Sequence, residues 1–156
     1  MSQWSSIAAI VVAPIATLAA VWLTSHFAWR RTQSEKIWDR KAEAYSAILQ
    51  ALHEMEASLD AWMNDETQYR ETSEEVSEER RKRYKQARAE VQSVIGREIW
   101  LLDPALKGHA EELNKALSAR HDSWFEDLDA SLYAVRNAIK AIALLARKEL
   151  QAGKTR

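Results

Sequence analysis

An apolar stretch opens the chain, and an amphipathic remainder follows it. The segment 7–23 is apolar apart from Thr17, and residues 1–29 contain no charged side chain. As a helix, residues 4–29 would reach roughly 39 Å, which exceeds the ~30 Å hydrocarbon core of a bilayer. The pattern predicts a transmembrane helix in an anchor segment 1–31. A cleaved signal peptide is disfavoured because the basic start that such peptides carry is missing.

The residues that flank this stretch are those typical of membrane interfaces. The expected interface residues are Trp4, Trp22, Trp29, Arg30 and Arg31. Tryptophan is enriched at both faces of a bilayer, and basic residues are enriched on the cytoplasmic side. Because no Lys or Arg precedes the stretch, the sequence predicts a single-pass protein of the inner (plasma) membrane, with its N-terminus outside and its C-terminal part in the cytoplasm.

The remainder, residues 32–156, carries apolar residues at helical spacing and needs no strand. Its first helix, at roughly 34–64, has two series with a step of seven, which is the spacing of a coiled-coil seam. The series are Trp38, Tyr45, Leu52 and Leu59, and Ile48, Met55 and Trp62. Capping boxes at 72–75 and 123–126 and an Asp-Pro corner at 103–104 predict three further helix starts. The expected fold class is all-α: one N-terminal transmembrane helix followed by a cytosolic antiparallel bundle of three to four helices.

Two helix boundaries have alternatives. A capping box at 32–35 could start the first cytosolic helix afresh, but the membrane helix could equally run straight into it. Only His121 and Asp122 separate the third and fourth helices, which is short for a hairpin, so these two could form one kinked helix.

The composition gives little indication of a catalytic, metal or nucleic-acid site. With 22 Lys+Arg against 23 Asp+Glu, the chain has no global basic field, which makes nucleic-acid binding unlikely. The lack of Cys excludes a disulfide framework, a Cys-ligated zinc site and a Cys nucleophile. None of the four histidines, His26, His53, His109 and His121, follows a Glu at the spacing of carboxylate-bridged metal sites. We therefore expect no catalytic residue, no cofactor and no metal, and hence no enzyme.

The second cytosolic helix carries the sharpest charge pattern. An acidic run at 74–79 precedes the basic residues Arg80, Arg81, Lys82, Arg83, Lys85 and Arg88. One interpretation is a patch that binds anionic lipid headgroups or nucleic acid. The other is a solvated helix end, in which Glu78 pairs with Lys82 and Glu79 with Arg83. The seven tryptophans likewise allow two interpretations, since they could pack in the core or anchor a protein partner at the surface.

The order of these features resembles a broad set of small, uncharacterised bacterial membrane proteins. The features are the apolar anchor, the segments 29–31 and 36–41, the pair Ala44-Tyr45 and the segment 101–104. The resemblance implies an inner-membrane location and a cytosolic helical domain, and it implies no activity.

The favoured function is a membrane-anchored, non-enzymatic interaction or scaffold module. Its partners would be the lipid bilayer and a protein bound through exposed tryptophans or charged faces, or a second copy bound through the seam. One alternative is an envelope or phage-lysis protein of the spanin type, whose helical body lies outside; Arg30 and Arg31 argue against that orientation. The other is a lipid or nucleic-acid binder that uses the basic residues at 80–88.

Overall fold

A computed structural model of the chain describes the backbone of residues 3–69 and 72–154 and the side chains of residues 35–69 and 72–152. It contains the helices α1 (Gln3–Thr67), α2 (Glu74–Glu98), α3 (Ala105–Ser118) and α4 (Trp124–Lys154). No strand occurs in these described ranges. The all-α class and the helical bundle are therefore confirmed.

The chain divides into two units, Met1–Asp39 and Arg40–Arg156. The helical bundle is the second unit. The side chains of the predicted anchor segment 1–31, including Trp4, Trp22, Trp29, Arg30 and Arg31, lie outside the described residues. Across residues 35–69 and 72–152, whose side chains are described, no helix combines the length and the hydropathy that crossing a membrane requires.

The predicted seam of α1 lies at the centre of the bundle core. Tyr45, Ile48, Leu52 and Met55 are each exposed by 1% or less, and Leu59 is also buried. They belong to one cluster with apolar residues of the other three helices: Val91, Val94, Ile95, Leu106, Leu113, Leu128, Leu132, Val135 and Ile142. The step of seven in the sequence is therefore confirmed as a core-forming pattern. Because helices of the same chain cover this seam, it is not a surface that a second copy can reach in the folded bundle.

Two ion pairs show that α1 and α2 are antiparallel. Near the start of the bundle, Arg40 of α1 binds Glu98 at the end of α2. Near the end of α1, Asp65 accepts a hydrogen bond from Arg80, close to the start of α2, at 2.7 Å. The two pairs join opposite ends of the helices, which fixes their relative direction.

The same argument places α4 antiparallel to α1. Lys41 pairs with Glu149 in the last turns of α4, at 3.0 Å. Further along α1, Glu56 accepts a hydrogen bond from Arg136 at 2.8 Å. The short helix α3 packs on α4, so the bundle closes as four antiparallel helices of unequal length.

At 32–35 the structure has the continuous helix, which was one of the two alternatives, and at 72–75 a helix starts as predicted but without the predicted cap. The capping box at 32–35 starts no helix, because α1 continues through it from Gln3 to Thr67. At the start of α2, Ser73 is the N-cap and makes no side-chain hydrogen bond to the helix. The hydroxyl of Thr72 donates instead to Asp65 Oδ2, at 2.8 Å. Thr72 therefore forms a charge-assisted tertiary hydrogen bond where the sequence predicted a local cap.

The capping hydrogen bonds predicted at the starts of α3 and α4 are formed. Asp103 Oδ1 accepts a hydrogen bond from the backbone N–H of Ala105 at 2.8 Å, beside Pro104. Ser123 Oγ accepts one from the N–H of Glu126 at 3.2 Å. Ala119 is extended (φ −65°, ψ 142°), and it ends α3. The third and fourth helices are therefore two separate helices and not one kinked helix.

Candidate interaction surface

The structure divides the basic residues of α2 into engaged and free groups. Arg80 donates to Asp65 across the α1–α2 boundary, and both side chains are largely buried. Arg83 pairs with Glu79 at 3.1 Å in the predicted i,i+4 arrangement, with both side chains exposed. The predicted pair of Glu78 with Lys82 does not form among the described residues. Arg80 is thus a structural residue of the bundle.

The remaining cations of this segment face solvent. Arg81, Lys82 and Lys85 are exposed, and Arg88 is half-buried. Within the described ranges none of the four forms an ion pair. Arg88 lies close enough to Tyr84 for its charge to act on the phenol. Burial is the larger effect, and it raises the pKa of Tyr84.

Three aromatic rings meet at the end of the bundle where α2 and α4 begin. Trp62 lies edge-on to Tyr84, with ring centroids 5.6 Å apart, and edge-on to Trp124 at 6.4 Å. Trp124 is nevertheless 57% exposed, and the next residue, Phe125, is 48% exposed. We refer to Trp62, Tyr84, Trp124 and Phe125 as the aromatic end. Edge-to-face geometry is favourable for aromatic pairs, so the rings hold one another in place.

The aromatic end exists because α3 is short. Gln92 of α2 donates a hydrogen bond to Asn114 of α3 at 3.2 Å, and α3 ends four residues later at Ser118. The first half of α2 therefore extends beyond the end of α3. Trp124, the first residue of α4, packs against Trp62 there. Sequence reasoning identified Trp124 only as a residue beside a cap, because its exposure depends on where α3 stops.

A cluster of polar side chains lies at the end of the bundle opposite the aromatic end. Glu98 is buried and accepts two hydrogen bonds from Arg40, at 2.9 and 3.1 Å, and Arg97 approaches it at 3.3 Å. The hydrogen bond from Arg40 holds the pKa of Glu98 below its usual value, outweighing the effect of burial. The guanidinium of Arg40 also stands 5.3 Å from the ring centroid of Trp100, which is 66% exposed. This distance is within the range of a cation–π interaction.

Beside this cluster, Tyr45 and Lys41 share one carboxylate. Tyr45 Oη donates to Glu149 Oε2 at 2.8 Å, and Lys41 Nζ donates to Oε1 at 3.0 Å. Burial is the main cause that raises the pKa of Tyr45 well above its usual value, and the hydrogen bond to Glu149 adds to it. The phenol therefore remains protonated and donates its hydrogen bond. The two hydrogen bonds to Glu149 join α1 to α4.

The described histidines pair with single carboxylates. His53 lies 3.2 Å from Glu56, and His121 lies 2.8 Å from Asp127. The hydrogen bond from His121 lowers the pKa of Asp127. No group of three or more metal-ligating side chains occurs among the described residues, and His26 lies outside them. His53 and Glu56 are one turn apart on α1, whereas His121 belongs to the connection before α4 and binds Asp127 in the first turn of that helix.

The comparisons with known proteins return no relative. The chain matches no protein-family model, no curated protein and no solved structure. Its function is therefore argued from its own residues.

Proposed function

We propose that this protein is a membrane-anchored, non-enzymatic interaction module that binds a protein partner through the aromatic end. In this proposal the apolar segment 7–23 spans a bacterial inner membrane, with the bundle in the cytoplasm. The length of the segment, its flanking tryptophans, and Arg30 and Arg31 support that arrangement. Such an anchor raises the effective concentration of the bundle toward partners at the same membrane.

The observation that carries the proposal is the exposure of Trp124 and Phe125. Two consecutive large aromatic side chains stand about half exposed at the start of one helix. Tryptophan is enriched among the residues that dominate binding energy at protein interfaces. Trp62 contacts Trp124 from within the bundle, so the ring is ordered before any partner arrives. An ordered anchor loses less conformational freedom on binding.

The charges beside the aromatic end indicate the chemistry of the partner. Arg81, Lys85 and Arg88 follow one side of α2 at helical spacing, and Tyr84 lies between them. Their charges would steer an acidic surface toward the aromatic rings. We therefore propose a partner segment that carries apolar anchors among Asp and Glu residues.

The test places a photo-crosslinking amino acid at position 124 in the full chain, in cells. We expect a discrete crosslinked product with one protein. The matched control places the same amino acid at Tyr133, which is also exposed on α4, and should give no such product. Phe125→Ala should weaken the crosslink at 124 while leaving the urea midpoint of the protein unchanged. Equal crosslinking at 124 and 133 would contradict the proposal.

The orientation has its own test. Reporter fusions at the C-terminus, one active only in the cytoplasm and one only outside it, should show the cytoplasmic signal. An external C-terminus would reverse the orientation and would favour the envelope or phage-lysis alternative.

The free cations of α2 support a second candidate, an anionic lipid or nucleic-acid surface. Its residues are Arg81, Lys82, Lys85 and Arg88, since Arg80 and Arg83 are engaged. It predicts salt-sensitive binding of the protein, held in neutral nanodiscs, to anionic vesicles or to duplex DNA. Replacing Arg81, Lys82 and Lys85 by Gln should abolish that binding. Unchanged binding after this replacement would exclude the candidate.

A further inference from the structure

The bundle contains an apolar cleft between α2 and α3. Its volume is about 240 Å³. Met55 of α1 lies at its floor, and Val91, Ile95, Leu113 and Leu117 form its walls. Val91, Ile95 and Leu113 also belong to the buried core, so the cleft exposes the edge of that core between the two helices.

Small residues keep the cleft open. Gly96 of α2 and Ala110 of α3 both line it. A Cβ atom placed on Gly96 would meet nothing within 4 Å, so no neighbouring side chain occupies the space beside it. Gly96 is exposed and faces open space at the lining of the cleft.

A positive charge stands at the cleft. Arg88 lines it, is half-buried, and forms no ion pair within the described part of the chain. Lys107 also lines the cleft, but Glu111 lies 3.7 Å from its ammonium group. A guanidinium binds a carboxylate through two parallel hydrogen bonds, which makes Arg88 the group suited to an anionic head.

From these observations we infer that the α2–α3 cleft binds a fatty acid, with the alkyl chain against Val91, Ile95 and Leu113 and the carboxylate at Arg88. The volume lies below the range of roughly 300–1,000 Å³ of drug-sized pockets, which favours one alkyl chain over a two-chain lipid. The inference goes beyond the proposed function and does not rest on it, because every lining residue belongs to the bundle unit Arg40–Arg156.

The experiment measures binding of dodecanoate to the full-length protein in amphipol, by isothermal titration calorimetry. We expect saturable binding with one site per chain. Gly96→Leu adds a large side chain to the lining of the cleft and should weaken binding by about tenfold or more. The matched control is Gly108→Leu, because Gly108 of α3 is also open within 4 Å but lies outside the cleft. It should bind dodecanoate as the unmodified protein does.

Two further variants test the carboxylate contact. Arg88→Gln should weaken dodecanoate binding by about tenfold, the value of a charge-assisted hydrogen bond, and leave dodecanol binding unchanged. Arg81→Gln, two turns earlier on the same side of α2 and outside the cleft, should change neither. Urea midpoints of all variants show that each is folded.

Several results would overturn the inference. Dodecanoate binding that survives Gly96→Leu would place the ligand elsewhere, and equal losses in Arg81→Gln and Arg88→Gln would show surface adsorption. A tighter Arg88-dependent site for a lysophospholipid would assign the cleft to another occupant. Dimerisation that Gly96→Leu abolishes, without dodecanoate binding, would assign it to a second copy of the chain.

Discussion

Arg40 and Glu98, 58 residues apart in the chain, form two parallel hydrogen bonds, from Nε to Oε2 at 2.9 Å and from Nη2 to Oε1 at 3.1 Å. This fork-to-fork geometry joins the beginning of the bundle to the end of α2. It is the charge-assisted pairing for which arginine is best suited.

This pair makes the stability of the bundle depend on pH. Because the pKa of Glu98 is lowered in the folded state, its contribution is present above the unfolded pKa of about 4.3 and is lost as pH falls through the folded pKa. Glu98→Gln should therefore lower the urea midpoint at pH 7, and the difference from the unmodified protein should close as pH falls below about 4.3. Glu90→Gln, at an exposed position of α2, is the control and should show no difference. A gap for Glu98→Gln that stays constant from neutral to acid pH would refute this.

The hydrogen bond between Tyr45 and Glu149 predicts that substitutions at the two positions have coupled effects on stability. Tyr45→Phe removes the hydrogen bond from Tyr45 to the Glu149 carboxylate and should lower the free energy of unfolding by about 1.5–3 kcal/mol. In a double-mutant cycle with Glu149→Gln, the two losses should not add. Tyr69→Phe, at a fully solvated position, should cost nothing measurable. Additive losses at Tyr45 and Glu149 would mean that the two side chains act independently.

The core predicts a large effect of a single truncation. Leu52 is fully buried in the seam of α1, so Leu52→Ala should lower the free energy of unfolding by about 2–5 kcal/mol. Leu144→Ala is the matched change at a side chain that is 66% exposed, and it should stay within about 0.5 kcal/mol. Equilibrium urea unfolding measures both, and similar losses at the two positions would contradict the assigned core.

Two neighbouring arginines of α2 should behave differently. Arg80→Gln breaks the largely buried pair with Asp65 and should cost about 1.5–3 kcal/mol of stability. Arg81→Gln removes an exposed charge of the same kind and should leave stability within about 0.5 kcal/mol. If thermal unfolding showed equal losses, the division of the basic segment into engaged and free residues would be wrong.

The parts of the fold that local sequence determines were predictable. The two series with a step of seven, one through Tyr45 and Leu52 and the other through Ile48 and Met55, mark a core face because these residues return to one side of a helix. Asp103 before Pro104, and Ser123 three residues before Glu126, are signals whose hydrogen bonds form within a few residues. Such signals need no knowledge of the remaining chain.

The features that depend on distant residues were not predictable. Glu98 stands in an ordinary polar stretch, and only the approach of Arg40 explains its burial. Thr72 donates to Asp65 of α1 and does not cap α2, and this contact cannot be predicted from the neighbouring residues. Val76 and Ile99 are apolar residues that are nevertheless about half exposed. Val76 belongs to the part of α2 beyond the end of α3, and Ile99 follows the last residue of the helix.

The unequal helix lengths have a consequence for how the molecule opens. Only two side chains of α3, Leu106 and Leu113, are buried, whereas α1 contributes seven buried apolar residues to the core. Local opening requires only the apolar contacts of the segment that detaches. The amide protons of α3 should therefore exchange with solvent well before those of α1 at 45–59. The helix α3, whose amide protons are then the least protected from exchange, is also one wall of the α2–α3 cleft. Its local opening would give an alkyl chain a route into the cleft without unfolding of the core.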